Sequence, residues 1–104
     1  MAQIVLTPRF RDDLDRVFGF LFDHSPQSAL ARIEEIVAAL QLLTSSPLIG
    51  RPAADNLREL VISVGTGGNV ALYAYSADED LVRVVALRSQ RERGYRPPGY
   101  RPPY

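Results

Sequence analysis

The chain has 104 residues, 46% of them hydrophobic, and its twelve arginines balance twelve acidic residues, so the formal net charge is zero. This length and composition indicate one globular domain. The absence of cysteine excludes disulfides and thiolate metal sites, and no apolar run reaches the roughly 18 residues that a membrane span needs.

The first half of the sequence predicts a strand followed by two helices. Residues 3–7 are rich in β-branched side chains, as in an opening strand. Helical periodicity runs from residue 8 to about residue 23, and it resumes after a Ser-Pro pair that caps a second helix. The apolar stripe of this second helix contains Leu30, Ile33, Val37 and Leu40. Because the turn between the helices is short, we expect an antiparallel helical hairpin.

The second half predicts a loop and then a sheet. Residues 44–56 contain the prolines and glycine typical of a loop. Strand-like runs follow at residues 57–64, 69–76 and 81–87, and the short spacers between them favour an antiparallel meander. A helical hairpin on one face of that sheet would bury both apolar surfaces. The predicted fold is therefore α+β, with the order β-α-α-β-β-β and an antiparallel sheet.

The last eleven residues repeat Gly-Tyr-Arg-Pro-Pro twice and end in tyrosine. Paired prolines lack amide donors and favour extended geometry, so we predict a folded domain over residues 1–95 and a flexible tail over residues 96–104. The tail either has no function or presents its tyrosines and arginines to bases or to a partner groove.

Positive charge is concentrated near the C-terminus. Residues 81–104 contain six of the twelve arginines and one acid, a formal charge of +5. Guanidinium groups bind phosphate and a neighbouring aromatic ring can stack on a base, so this region is the candidate binding site. Its candidate residues are Arg88, Arg91, Arg93 and Tyr95, with Arg51 and Arg58 facing them from the loop and the second strand. The alternative is a solvated charge run that Glu92 partly neutralises.

Other catalytic constellations are poorly represented. His24 falls at the end of the first helix, where the helix dipole favours a cation, so we assign it a structural role. The glycine-rich residues 65–68 lack the following helix of a phosphate-binding loop and predict a hairpin turn. The carboxylates Asp12, Asp13 and Asp15 are expected on the solvent side of the first helix. We expect no metal and no cofactor.

Six short motifs occur in order between residues 4 and 95. They are Thr-Pro at 7–8, Asp-Leu at 13–14, Pro-Leu-Ile-Gly-Arg-Pro at 47–52, Leu-Arg-Glu-Leu-Val at 57–61, Ala-Leu-Tyr at 71–73 and Leu-Arg-Ser-Gln-Arg-Glu at 87–92. Together they resemble the RelE/ParE toxins of bacterial type II toxin–antitoxin (plasmid stabilisation) modules. The resemblance implies a helical hairpin on an antiparallel sheet and a cognate antitoxin that covers apolar surface. We place that surface at Val17, Leu21, Leu30 and Val37, or at the exposed edge of the sheet, where the antitoxin would add a helix or a strand.

The resemblance implies two possible targets. RelE-like members cut messenger RNA on the ribosome, whereas ParE-like members bind DNA gyrase. The RNA-cutting members carry an aromatic residue and an arginine where this chain has Asn69 and Val70, and close relatives often carry histidine in place of Ser89. These departures favour a growth-inhibiting toxin that is not an enzyme and that binds gyrase. The residues assigned to target binding are Arg88, Arg91, Arg93 and Tyr95.

Two alternatives stay open. In the first, the chain is a ribosome-dependent endoribonuclease in which Arg58, Arg88 and Arg91 hold phosphate. Tyr95 would then stack on the substrate or protonate it. In the second, the chain is a decayed member without toxicity. The expected partners are a cognate antitoxin and either gyrase or the ribosome with its message, and we expect a cytoplasmic protein with no membrane partner.

Overall fold

The computed structural model describes residues 1–63, 68–90 and 94–95. Over these ranges the chain forms two layers, a helical hairpin packed on one face of a five-stranded sheet. The strands are β1 (Gln3–Leu6), β2 (Arg51–Pro52), β3 (Leu57–Val61), β4 (Asn69–Ser76) and β5 (Leu81–Ser89), and the helices are α1 (Pro8–His24) and α2 (Pro26–Gln41). The predicted α+β fold is confirmed. The two-residue strand β2 and a 3-10 turn at Leu42–Thr44 lie in or next to the segment expected to be a loop.

Both helices begin where the sequence predicts. The hydroxyl of Thr7 accepts the backbone N–H of Phe10 at 3.1 Å, which caps α1, and a proline fills the first turn of each helix. The Ser25 hydroxyl at the start of α2 makes no such capping bond and instead donates to the hydroxyl of Ser28 at 3.0 Å. Neither helix in the described ranges is long and apolar enough to cross a bilayer.

The strands lie in the order β1-β5-β4-β3-β2. Strands β2 to β5 pair antiparallel, as the meander predicts, whereas β1 pairs parallel with β5 and makes the sheet mixed. The helical hairpin carries the chain from β1 to the opposite edge of the sheet, and the meander then returns it beside β1. Most of the glycine-rich spacer expected as a turn lies at residues 64–67, outside the described residues, as does the predicted tail at residues 96–104.

Cross-strand register separates the two faces of the sheet. Tyr73 on β4 lies opposite Arg58 on β3, and both point to the helix side. Glu59 lies opposite Leu72, on the other face, and Arg88 on β5 shares that face. Because side chains alternate along a strand, adjacent residues of the same motif serve opposite surfaces.

The hydrophobic core fills the space between the helices and the sheet. Phe10 of α1, Ile36 of α2 and Tyr73 of β4 are fully buried there. The predicted apolar stripe of α2 is only partly correct, since Leu30 is 60% exposed and Val37 is 47% exposed. Ile33 and Leu40 of that stripe do pack on the core, and Ala29 and Ile36 complete the buried face of α2.

Asp13 corrects the expectation that the carboxylates of α1 face solvent. The residue is 5% exposed, and one carboxylate oxygen accepts the backbone N–H of Leu87 at 2.9 Å. Arg16 lies 3.5 Å from the other oxygen and donates to the Leu87 carbonyl at 3.4 Å. Strand β1 pairs with β5 only as far as Val84, so beyond that point these side chains satisfy the backbone of β5. Burial raises the pKa of Asp13 despite this hydrogen bond and Arg16.

Candidate functional site

Charged and aromatic side chains gather on the face of the sheet away from the helices. We call Arg51, Glu59, Arg88 and Tyr95 the Glu59 cluster. Arg51 on β2 lies opposite Glu59 on β3, Arg88 lies on β5 two strands away, and Tyr95 follows the end of β5. The cluster therefore joins four segments that are distant in sequence.

The Glu59 carboxylate stands at the centre of this cluster. One of its oxygens accepts the hydroxyl of Tyr95 at 2.6 Å, and the other accepts Nε of Arg51 at 3.2 Å. A guanidinium nitrogen of Arg88 lies 3.8 Å from the carboxylate. The side chains of Glu59 and Arg88 are each 17% exposed, whereas that of Arg51 is 58% exposed. Three donors thus converge on one partly buried anion.

The pKa values of Glu59 and Tyr95 are shifted in opposite directions. The hydrogen bond from Tyr95, helped by Arg51 and Arg88, lowers the pKa of Glu59 against the opposing effect of burial. Burial first, and then the hydrogen bond to Glu59, raise the pKa of the Tyr95 hydroxyl. At neutral pH the glutamate is therefore ionised and the tyrosine protonated, which gives a charge-assisted hydrogen bond.

Arg88 is held in two further ways. Its guanidinium carbon lies 5.3 Å from the centroid of the Tyr95 ring, within the range of a cation–π contact. It also donates to the backbone carbonyl of Ser89 at 3.3 Å. Asn69 lies beneath this site, 2% exposed, and its amide nitrogen lies 3.4 Å from the Arg88 carbonyl. Arg88 therefore has a fixed position beside the aromatic ring.

Two of the four residues predicted to bind the target thus lie together, namely Arg88 and Tyr95. Arg91 and Arg93 lie outside the described residues. Sequence reasoning missed Glu59 as a site residue. Strand alternation alone puts it on the face opposite to its neighbour at position 58, but only the pairing of three strands and the C-terminal segment places it beside Arg88.

Arg58 does not belong to this site, which corrects its assignment in the ribonuclease alternative. It lies on the helix side of the sheet and donates to the carbonyls of Gly50 at 2.7 Å and Leu48 at 3.3 Å. The Tyr73 hydroxyl accepts the N–H of Gly50 at 2.9 Å and donates to the Pro47 carbonyl at 2.8 Å. Arg58 and Tyr73 therefore fix the loop that precedes β2.

The residues predicted to contact an antitoxin fall into two groups. Val17 is only 7% exposed and belongs to the core, so its assignment to an exposed surface is corrected. Leu21 is partly buried, whereas Leu30 and Val37 are exposed on α2. The exposed part of the predicted surface is therefore on the second helix.

His24 takes the structural position expected at the end of α1. Its Nδ1 lies 2.8 Å from the carbonyl oxygen of Phe20, and the two rings stack with their centroids 4.3 Å apart. These contacts hold the imidazole against the last turn of the helix.

Comparison with known proteins identifies the family. The sequence family described as the ParE toxin of the type II toxin–antitoxin system parDE matches residues 4–94 of this chain. The chain belongs to the ParE toxin family. This ParE-family chain is therefore a toxin of a type II toxin–antitoxin system, as its sequence motifs indicate.

One curated protein and two solved structures are similar to the ParE-family chain. It is 31% identical over 93 residues to a Caulobacter vibrioides protein named Toxin RelE3, covering 89% of this chain and 99% of the relative. Its fold is similar to a chain of the chromosomal ParDE system of P. aeruginosa, with a TM-score of 0.69, 18% identity, and coverage of 86% and 96%. It is also similar to a chain of the intact E. coli RelBE complex, with a TM-score of 0.63, 10% identity, and coverage of 88% and 100%.

Proposed function

We propose that this ParE-family toxin arrests growth in the cytoplasm by binding DNA gyrase and not by cutting RNA. The observation that carries the proposal is the engagement of Arg88 and Tyr95 with the Glu59 carboxylate. In the ribonuclease alternative Arg88 would hold phosphate together with Arg58 and Arg91, and Tyr95 would stack on the substrate or protonate it. Here Arg88 and Tyr95 form instead a rigid binding surface in which the Glu59 carboxylate is an internal counter-ion.

The protonation states of Glu59 and Tyr95 support the proposal of binding without RNA cleavage. Cutting a phosphodiester requires a base for the attacking hydroxyl, an acid for the leaving oxygen and a cation beside the developing charge. The pKa of Glu59 is lowered, which weakens it as a base, and the pKa of Tyr95 is raised, which weakens it as an acid. Both shifts move away from the neutral range in which a catalytic pair works best.

The C-terminal charge supports binding to a protein target. Residues 81–104 carry a formal charge of +5, and an acidic surface on gyrase would complement them. Within this segment Arg88 and Tyr95 form the fixed part of the proposed contact, and Arg91 and Arg93 complete it. An interface of this type is commonly anchored by arginine and tyrosine side chains.

A cognate antitoxin is the second proposed partner, and we place it on the helical hairpin. Leu30 and Val37 are exposed and lie seven residues apart on α2, so they share one face of the helix. Leu21 of α1 contributes at the edge of this surface. The similar solved structures are described as toxin–antitoxin systems or complexes, which supports a partner of this kind. An amphipathic helix of the antitoxin would suit the apolar surface.

Supercoiling by purified gyrase tests the proposal. We expect the wild-type chain to inhibit supercoiling at micromolar concentration and Arg88→Gln to inhibit at least about tenfold less well, as expected for loss of an anchoring arginine. The matched control is Arg11→Gln, which removes the same charge from an exposed position on α1, outside residues 81–104. Unaffected supercoiling with the wild-type chain would reject gyrase as the target.

A ribosome-dependent endoribonuclease is the second candidate. One observation favours it: the relative named Toxin RelE3 is matched over 99% of its own length by this chain. Toe-print mapping of messages in a translation extract decides between the two. Cuts within codons that appear with the wild-type chain and disappear with Tyr95→Phe would support this second candidate.

A further inference from the structure

The Glu59 cluster has the arrangement of an anion-binding site that already contains an anion. Two arginines and one hydroxyl surround the carboxylate, with donor distances of 2.6 Å from Tyr95 and 3.2 Å from Arg51 and an Arg88 nitrogen at 3.8 Å. The same donor types, guanidinium and hydroxyl, bind phosphate oxygens. The charges in the cluster, two positive and one negative, leave an excess of one positive charge.

An ordinary stabilising ion pair does not account for the whole arrangement. Arg51 and Glu59 alone would be a common cross-strand pair at a sheet edge, which contributes little. Arg88 and Tyr95, however, reach the same carboxylate from β5 and from the segment after it. The side chains of Glu59 and Arg88 are both mostly withdrawn from water, at 17% exposure. The donors therefore enclose the anion from several sides.

Arg88 does not depend on Glu59 alone for its position. Arg88 is held by the Tyr95 ring at 5.3 Å and by the Ser89 carbonyl at 3.3 Å. Its backbone carbonyl is further contacted by the buried amide of Asn69. A site whose donors are fixed in advance binds its ligand without a large ordering cost. Removing the carboxylate should therefore leave Arg88 in place beside the Tyr95 ring, with one negative charge fewer next to its guanidinium.

We propose that Arg51, Arg88 and Tyr95 form an oxyanion site for a phosphate group, and that Glu59 occupies this site and keeps it closed. Free phosphate and the phosphodiester of single-stranded RNA share the chemistry that the donors recognise. In the wild-type chain either ligand must displace the glutamate. The proposal is independent of gyrase as the target, because it concerns only what the cluster binds.

Phosphate titrations of the wild type and three variants, monitored by NMR, test the proposal. The full-length, ¹⁵N-labelled chain is titrated at pH 7 with inorganic phosphate and, separately, with a uridine hexanucleotide. We expect Glu59→Gln to bind phosphate at least about tenfold more tightly than the wild type, because a like charge has left a partly shielded site. The matched control Glu34→Gln removes the same charge from an exposed position on α2 and should behave as the wild type. The double variant E59Q/R88Q should lose the gain.

Three results would overturn the proposal. Phosphate binding by Glu59→Gln that equals binding by Glu34→Gln would show that the cluster is an ion pair only, and a gain that survives in E59Q/R88Q would place the bound phosphate elsewhere. Circular dichroism and urea unfolding establish that each variant is folded. Glu59→Ala, which also keeps all three donor side chains, provides a second test, with the same expected gain in phosphate affinity. If the hexanucleotide binds Glu59→Gln and inorganic phosphate does not, the oxyanion site is rejected in favour of contacts to bases.

Discussion

Replacement of Tyr95 by phenylalanine isolates the hydrogen bond at the centre of the Glu59 cluster. The variant loses the hydroxyl that donates at 2.6 Å and keeps the ring beside the Arg88 guanidinium. A hydrogen bond to a charged group contributes about 1.5–3 kcal/mol, and water at the partly open site reduces that contribution. We therefore expect the free energy of unfolding at pH 7 to fall by about 1–2 kcal/mol.

The loss should depend on pH through Glu59. Its pKa is lowered below 4.5, chiefly by the hydrogen bond from Tyr95. A carboxylate with a lowered pKa in the folded state contributes stability that is present above the unfolded pKa and is lost as pH falls through the folded pKa. The difference between wild type and variant should therefore be widest at neutral pH and narrow below pH 4.5. In the variant, the pKa of Glu59 should rise towards its ordinary value.

Urea unfolding at neutral and acidic pH measures this difference, and NMR titration of the Glu59 carboxyl carbon measures the pKa. Tyr75→Phe is the matched control, because the Tyr75 hydroxyl also donates to a carboxylate, that of Asp80 at 2.7 Å, but at an exposed turn. We expect no measurable change in that variant. Equal losses in the two variants, or a difference that does not change with pH, would refute the reasoning.

Three further substitutions test other parts of the structure. Gly50→Ala should lower the free energy of unfolding by about 2–3 kcal/mol, because the added carbon would lie 2.7 Å from the buried ring of Tyr73. Its control Gly19→Ala, where the added carbon meets nothing within 4 Å, should raise the free energy of unfolding by up to about 1 kcal/mol. Thermal unfolding measures both changes. Asp13→Ala should cost about 1–3 kcal/mol in urea unfolding, because it leaves a buried N–H of β5 unpaired, whereas its exposed neighbour variant Asp12→Ala should cost less than about 0.5 kcal/mol. Leu30→Glu should weaken antitoxin binding at least about tenfold in calorimetric titration and leave stability unchanged within about 0.5 kcal/mol. Equal effects in a variant and its control, or unchanged antitoxin binding, would contradict these expectations.

Local features of the fold were predictable from the sequence. The start of α1 follows from a capping threonine followed by proline, and the meander follows from strand-like runs with short spacers. Periodicity predicted the buried side of α2 only in part, since this helix carries apolar residues on more than one face: Ile33 and Leu40 pack on the core, whereas Val37 is exposed. The small side chain of Ala29 packs in the core, while the larger Leu30 faces solvent.

The site was less predictable because it depends on contacts between distant segments. A charged residue on an amphipathic helix ordinarily faces water, and Asp13 is buried only because β1 ends before β5 does. Arg58 and Glu59 are neighbours in sequence but lie on opposite faces of the sheet. Which of them meets Arg88 is decided by the pairing of β3, β4 and β5, and composition carries no information about that register.

Plasmid topology in growth-arrested cells tests the central claim most directly. The chain is expressed without its antitoxin, and plasmid supercoiling and message integrity are measured on the same cells. Binding to gyrase predicts relaxed plasmid and intact messages, with supercoiling restored in cells that express Arg88→Gln. Fully supercoiled plasmid together with messages cut within codons would contradict the account.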